Sequence, residues 1–172
     1  KISNFYNIIK HNLSQLVNFL PQRVFDRIVS KYSGNKSVKH FTCWNQLLCM
    51  IFGQLSARES LRDLTTIIEA HQSKSYHLGF GKSVTRSNLS KANEKRNFKI
   101  FEEFANHLIA IAQKKKSISN FEIQGNIYAF DSSTIDLCLS VFCWAHFRKT
   151  KAGIKLHTLF DVNTQIPVFI HI

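Results

Sequence analysis

The apolar residues of this chain change period partway along, and that change decides what it can fold into. Up to about residue 113 they recur at three- and four-residue steps, the spacing of a stripe along one side of a helix. From Ile127 onward they largely alternate, which is the two-residue repeat of a strand. An α+β chain is therefore expected, an N-terminal all-α domain followed by a sheet. Its 172 residues, 44% of them hydrophobic, suffice for one ordinary domain or two small ones and argue against global disorder. The run Lys114-Lys115-Lys116-Ser117 marks the expected boundary, with a helical domain over 1–117 and a sheet domain over 118–172.

Within the first part, residues 4–20 read as an amphipathic helix carrying Phe5, Ile8, Ile9, Leu13, Leu16, Val17 and Leu20. Pro21 suits the first turn of a second helix, with Phe25, Ile28, Val29 and Tyr32 inward, Arg23, Arg27 and Lys31 outward, and Gly34 as its stop. After a polar turn, Asn35 to His40, Thr42 caps the strongest helix, whose face is Trp44, Leu47, Leu48, Ile51, Phe52 and Leu55. Ser60 opens the next, with Asp63 three residues on and Leu61, Leu64, Ile67 and Ile68 inward. Residues 71–82 read as a loop broken by Gly79 and Gly81. Thr85 and Ser87 are alternative caps for a helix presenting Arg86, Ser87, Asn88, Lys91, Lys95 and Arg96. A last helix runs to about Gln113 with Phe98, Phe101, Ala105, Leu108 and Ile111 or Ala112 inward.

Charge is distributed unevenly between the two parts. Residues 1–120 hold 19 Lys and Arg against 7 Asp and Glu, while 121–172 hold 4 against 4. The whole net charge of +12 therefore belongs to the helical part. Such a concentration favours a polyanionic partner, most simply double-stranded DNA, with a solubilising surface as the bland reading. Arg86, Ser87, Asn88, Lys91, Lys95 and Arg96 are of the types that reach phosphates and base edges. The connection before their helix is longer than the turn of a compact helix-turn-helix, which argues against that label. No apolar run approaches the length of a membrane span, and the N-terminus lacks the pattern of a secretion signal. A cytoplasmic protein is expected, its four Cys (43, 49, 138, 143) reduced. Cys138, Cys143 and His146 form a C-x4-C-x2-H pattern that is one ligand short of a tetrahedral site, so buried thiols are expected instead.

In the second part, a β-prone run from Ile127 to Phe130 stops on Asp131, with Ser132, Ser133 and Thr134 after it. A carboxylate at a strand end can hold a metal against phosphate, although Asp-Ser-Ser also opens ordinary turns. Asp136 and Asp161 are weaker candidates, the latter at the start of a turn. Ile154, Leu156, Thr158 and Phe160 fall on one strand face, with Lys155, His157 and Leu159 on the other. The turn Asp161 to Gln165 joins this strand to 166–172 as an antiparallel hairpin, with Pro167 at a start or an edge. His157 reads as a satisfied sheet histidine more readily than as a phosphate contact. Trp44 and most Phe residues read as core. No Gly-rich phosphate loop, HExxH or nucleophile elbow is present.

The order WNQLLCMIFGQLSARESLRDL, then YHLGFGKSVTRSNLSKANEKRNFKIFEEFA, then YAFDSSTIDLCLSVFCWAHFRKTKAGIKLHTLFDVNTQIPVFIHI resembles the bacterial insertion-sequence DDE transposases of the insertion sequence 4 type. The resemblance implies that the sheet begins an RNase H-like mixed sheet. It also implies two Mg2+ (or Mn2+) ions held by Asp, Asp and Glu, and cleavage of transposon ends with joining to target DNA. It matches Asp131 to the first catalytic and metal-binding acid and leaves Asp161 outside the three. The partner implied is double-stranded DNA, at transposon ends and target, in the bacterial nucleoid, with a homodimer on DNA as one arrangement. The second Asp and the Glu lie beyond the hairpin in that family. The expectation is thus an N-terminal part that binds DNA and is inactive alone. The alternative is a non-enzymatic DNA-binding protein, a repressor or the remnant of a mobile element.

Overall fold

Helices come first and an antiparallel sheet follows, as the change of period predicts. The computed structural model describes residues 13, 15–58, 60–70, 80, 84–115, 127–137, 146–148 and 151–171, with the backbone alone at 136–137, 146–148 and 151–153. The chain divides into two compact units, Lys1–Phe104 and Ala105–Ile172. The helices are α1 (Gln22–Lys31), α2 (Cys43–Leu55), α3 (Leu61–Ala70), α4 (Arg86–Lys95) and α5 (Lys99–Lys114), the last running across the division. Residues 15–19 are helical as well, and Leu13 is buried. The rest of the expected first helix, most of the 71–82 loop and the Cys138–Cys143 pattern lie outside the described residues. No helix among the described residues is long and apolar enough to cross a membrane.

Local chemistry sets the helix ends. Pro21 is the cap of α1, its carbonyl accepting from the N–H groups of Val24 and Phe25 at 2.9 and 3.2 Å. Thr42 and Asn45 form a capping box at α2: the Asn45 N–H donates to Thr42 Oγ1, and the Thr42 N–H to Asn45 Oδ1. Ser60 Oγ accepts from the Asp63 N–H at α3, and Thr85 rather than Ser87 caps α4 by accepting from the Asn88 N–H. The C-terminus of α1 departs from expectation. Ser33, not Gly34, takes the left-handed conformation (φ 52°). The N–H groups of Ser33 and Gly34 return to the carbonyls of Ser30 and Val29, closing a Schellman turn. Gly34 is required for space instead. A Cβ there would sit 2.5 Å from Ile100 Cδ1 and 2.8 Å from Cys43 Sγ. The end of α2 repeats the motif, with Ala57 left-handed (φ 49°) and the Arg58 N–H on the Gly53 carbonyl.

The stripes on these helices meet in one core, with Leu48, Cys49 and Phe52 of α2, Leu64 and Ile68 of α3, and Leu89 and Ala92 of α4. Phe41, Phe80 and Val84 fill it from the connections. Phe25 of α1 forms an aromatic group with Trp44 and Phe104 at centroid distances of 5.4 and 4.9 Å. Four expected core positions prove exposed, Leu16, Leu55, Phe98 and Ala105. Leu55 ends α2 at the surface, and Phe98 is 63% exposed. Phe98 precedes α5 rather than riding on it, so the buried phase of that helix is Ile100 and Phe104, and Ala105 faces out.

In the second unit, β1 (Tyr128–Leu137), β2 (His146–Arg148), β3 (Lys151–Asp161) and β4 (Ile166–His171) form one sheet, antiparallel in every described pairing. β3 is central, with β1 along one edge and both β2 and β4 along the other. The β3–β4 hairpin turns as expected. Asp161 is buried, and its Oδ1 accepts from the N–H groups of Asn163 and Thr164, so its role is conformational. Pro167 lies at the register shift, where Leu159 pairs with Phe169 and Phe160 with Pro167; Val168 is the extra residue, so the missing N–H is tolerated.

Replacing Ser33 with Gly removes a left-handed non-glycine residue and raises stability by about 1 kcal/mol, whereas Gly34→Ala lowers it by about 1–3 kcal/mol through overpacking against Ile100 and Cys43. Denaturant unfolding of the two variants checks both signs. Stabilisation by Gly34→Ala would contradict the packing assignment.

Candidate nucleic-acid interface

The site is organised by a cation that points inward. Arg96 directly follows α4, and its guanidinium donates to the carbonyls of Phe41 and Thr42 and to Gln46 Oε1. Its Nη1 lies 2.9 Å from the Thr42 carbonyl and 2.8 Å from Gln46. Gln46 Nε2 donates in turn to Asn93 Oδ1 at 2.6 Å. The guanidinium also stands 5.5 Å from the centre of the Phe41 ring. No carboxylate pairs with it among the described residues. Burial pulls its pKa below the ordinary arginine value, opposed by the nearby Cys43 thiol. Arg96, expected at the DNA surface, is therefore spent largely on fixing the end of α4 to the start of α2. Burial pushes Cys43 upward and Cys49 to about 12, so both stay protonated.

That attachment creates a groove of about 610 Å3 between the 32–41 segment and the outer face of α4. Lys36, Lys39 and His40 line one wall; Asn88, Lys91, Lys95 and Arg96 line the other; no Asp or Glu lines either. Lys36, Lys39, His40, Lys91 and Lys95 are all exposed. Arg86 and Ser87, also expected at this surface, sit in a second shallow hollow with Leu61, Ser90 and Lys91. Lys91 borders both, so the six expected residues line two adjoining hollows joined at Lys91. In the sequence, Lys36, Lys39 and His40 fall within the expected polar turn. The available signal was three basic or ionisable residues within five positions, without an intervening acid. A groove with ammonium groups on both walls attracts phosphate by charge and holds it without base preference.

Asp131 is placed differently from expectation. It does not end a strand: β1 continues through it to Leu137, with Asp131 opposite Thr158. The long alternating β3 supplies ladder partners along its whole length, and the small hydroxyl residues that suggested a turn fit an exposed strand face. Asp131 is exposed, and its Oδ2 accepts from Ser133 Oγ at 2.8 Å. The register puts His157, opposite Ser132, and Asp161, opposite Tyr128, on the other face of the sheet. Asp136 stands opposite Gly153, five positions from Asp131 and about 16 Å along the strand. His157 stacks on Phe130 at 5.6 Å, and its Nδ1 is buried with no hydrogen-bond partner among the described residues.

One carboxylate does not hold a pair of divalent ions. No group of three or more His, Cys, Asp or Glu suited to a metal occurs among the described residues. Among the described residues the implied centre is represented by Asp131 alone, and its other two acids are not present there.

The pattern of a domain of unknown function, DUF4372, matches residues 10–81. No curated protein and no solved structure matches the chain. The matched segment contains the 32–41 wall of the groove and stops before α4, so the two basic walls fall on opposite sides of its limit.

Arg96→Ala leaves two carbonyls and Gln46 without their charged donor and costs about 2–4 kcal/mol of stability, while Lys91→Ala changes stability by less than about 0.5 kcal/mol. Thermal unfolding of the two variants measures the contrast; equal effects would mean that Arg96 is a surface residue.

Proposed function

We propose that this chain binds double-stranded DNA through the basic groove, as part of a transposase of the insertion-sequence type. One observation carries the reading: lysines from two separate segments, Lys36 and Lys39 on one and Lys91 and Lys95 on the other, line a single concave surface bare of carboxylates. The concentration of the entire +12 in residues 1–120 supports it, as does the resemblance in residue order. Phosphate contacts of this kind position a duplex and release counterions, so affinity falls steeply with salt. Thr85, which caps α4, and Arg96, which anchors its end, hold Lys91 and Lys95 on a fixed helix rather than a loop.

Strand transfer with Asp131 as first acid, on an RNase H-like sheet with Mg2+ or Mn2+, belongs to the proposal through the resemblance. A second reading, a DNA-binding protein without nuclease chemistry, is favoured by a specific observation. Asp131 has Ser133 as its partner and no second carboxylate on its face of the sheet among the described residues.

Fluorescence anisotropy with a labelled duplex separates these outcomes. The Lys91→Ala/Lys95→Ala protein should bind at least about tenfold more weakly, with the slope of log affinity against log salt reduced by about 2. Unchanged affinity would refute the groove. Asp131→Asn should leave binding intact. This chain alone is expected not to nick DNA under either reading. Metal-dependent nicking by a protein that also carries the second Asp and the Glu, lost in Asp131→Asn, supports the transposase, and no nicking with all three acids present supports the second reading.

A further inference from the structure

A third hollow shares Arg96 with the basic groove and differs from it in kind. It has a volume of about 370 Å3 and is lined by Leu47, Met50, Phe98 and Phe101, with Gln46, Asn93 and Arg96 at its polar side. Arg96 lines both hollows. Phe98, directly before α5, leaves 63% of its surface in solvent, a large aromatic with no core function. Asn93 Nδ2 meets the Met50 sulfur at 3.8 Å, a weak acceptor easily exchanged for an oxygen or ring nitrogen.

We propose that this hollow receives an unpaired base of the bound DNA, stacked on Phe98. The inference rests on the basic groove holding DNA as proposed above. A base has a π-face for Phe98 and Phe101 and a polar edge for the Asn93 amide, and it is tethered to the phosphate that Lys95 holds. An apolar protein side chain would satisfy the rings but leave the Asn93 amide unmatched and would not be tethered to the basic groove. Stacking on an aromatic side chain is sequence-tolerant and strengthens binding whichever base is extruded. The preferred substrate is therefore DNA that carries an unpaired base, such as a frayed end or a bulge, rather than perfectly paired duplex.

The test compares the full chain on two labelled duplexes, one fully paired and one with a single bulged adenine. The parent protein should bind the bulged duplex roughly tenfold more tightly. Phe98→Ala should abolish that preference and leave affinity for paired duplex unchanged, and Phe98→Trp should retain it. Lys91→Ala/Lys95→Ala should weaken both duplexes alike. Equal binding of the two duplexes by the parent protein, or a preference that survives Phe98→Ala, overturns this inference and leaves the groove standing. Failure to bind either duplex overturns both.

Discussion

The hydrogen bonds of one guanidinium hold the helical unit in the form that matters. Arg96 joins two stretches of chain distant in sequence: residues 41–46, through the carbonyls before α2 and the Gln46 side chain within it, and the end of α4. Its planar fork suits this, since several donors lie in one plane and can serve acceptors on different strands of backbone at once. A lysine has no equivalent geometry. Because the guanidinium is half-buried, its removal exposes the structure twice, through the lost bonds and through carbonyls left without a donor. Gln46 and Asn93 extend the attachment along the α2–α4 contact, and the ring of Phe41 covers one side of the cation.

The electrostatics of the surface follow from that internal arrangement. α4 buries only Leu89 and Ala92, so most of its circumference is free to carry charge. Fixing its end against the 41–42 segment brings Lys91 and Lys95 opposite Lys36 and Lys39. Four like charges around one concavity repel one another, a cost that is relieved when an anion enters. The Lys31–Glu103 pair, at 2.8 Å, is the contrasting case, an exposed contact between α1 and α5 with opposite charges satisfied locally. Fold stability and ligand attraction thus use different cations.

Most of the architecture was legible because it rests on local rules. The change of period separated helices from sheet, and Thr42, Ser60 and Thr85 marked helix starts through single hydroxyls. The hairpin turn at Asp161 followed from the same short-range chemistry. What failed depended on partners elsewhere in the chain. Asp131 looked like a strand end until β3 supplied a ladder on both sides of it. Gly34 looked like a left-handed stop, but its constraint comes from Ile100 and Cys43, and Ser33 takes the strained conformation instead. Arg96 could not be distinguished from its basic neighbours by type, because only the fold reveals that its acceptors lie at 41, 42 and 46. The other wall of the groove, at 36–40, carried a basic cluster in the sequence, but only the fold sets that cluster opposite α4.

The claim that both walls grip one polyanion is tested most directly by lysine protection. The protein is lightly acetylated with and without saturating duplex DNA, and each site is read by mass spectrometry. Lys36, Lys39, Lys91 and Lys95 should lose reactivity together in the complex, while Lys155, exposed on β3, keeps its own. Protection of the α4 lysines without those of the 36–39 wall, or uniform loss at every lysine, would contradict a single groove built from both segments.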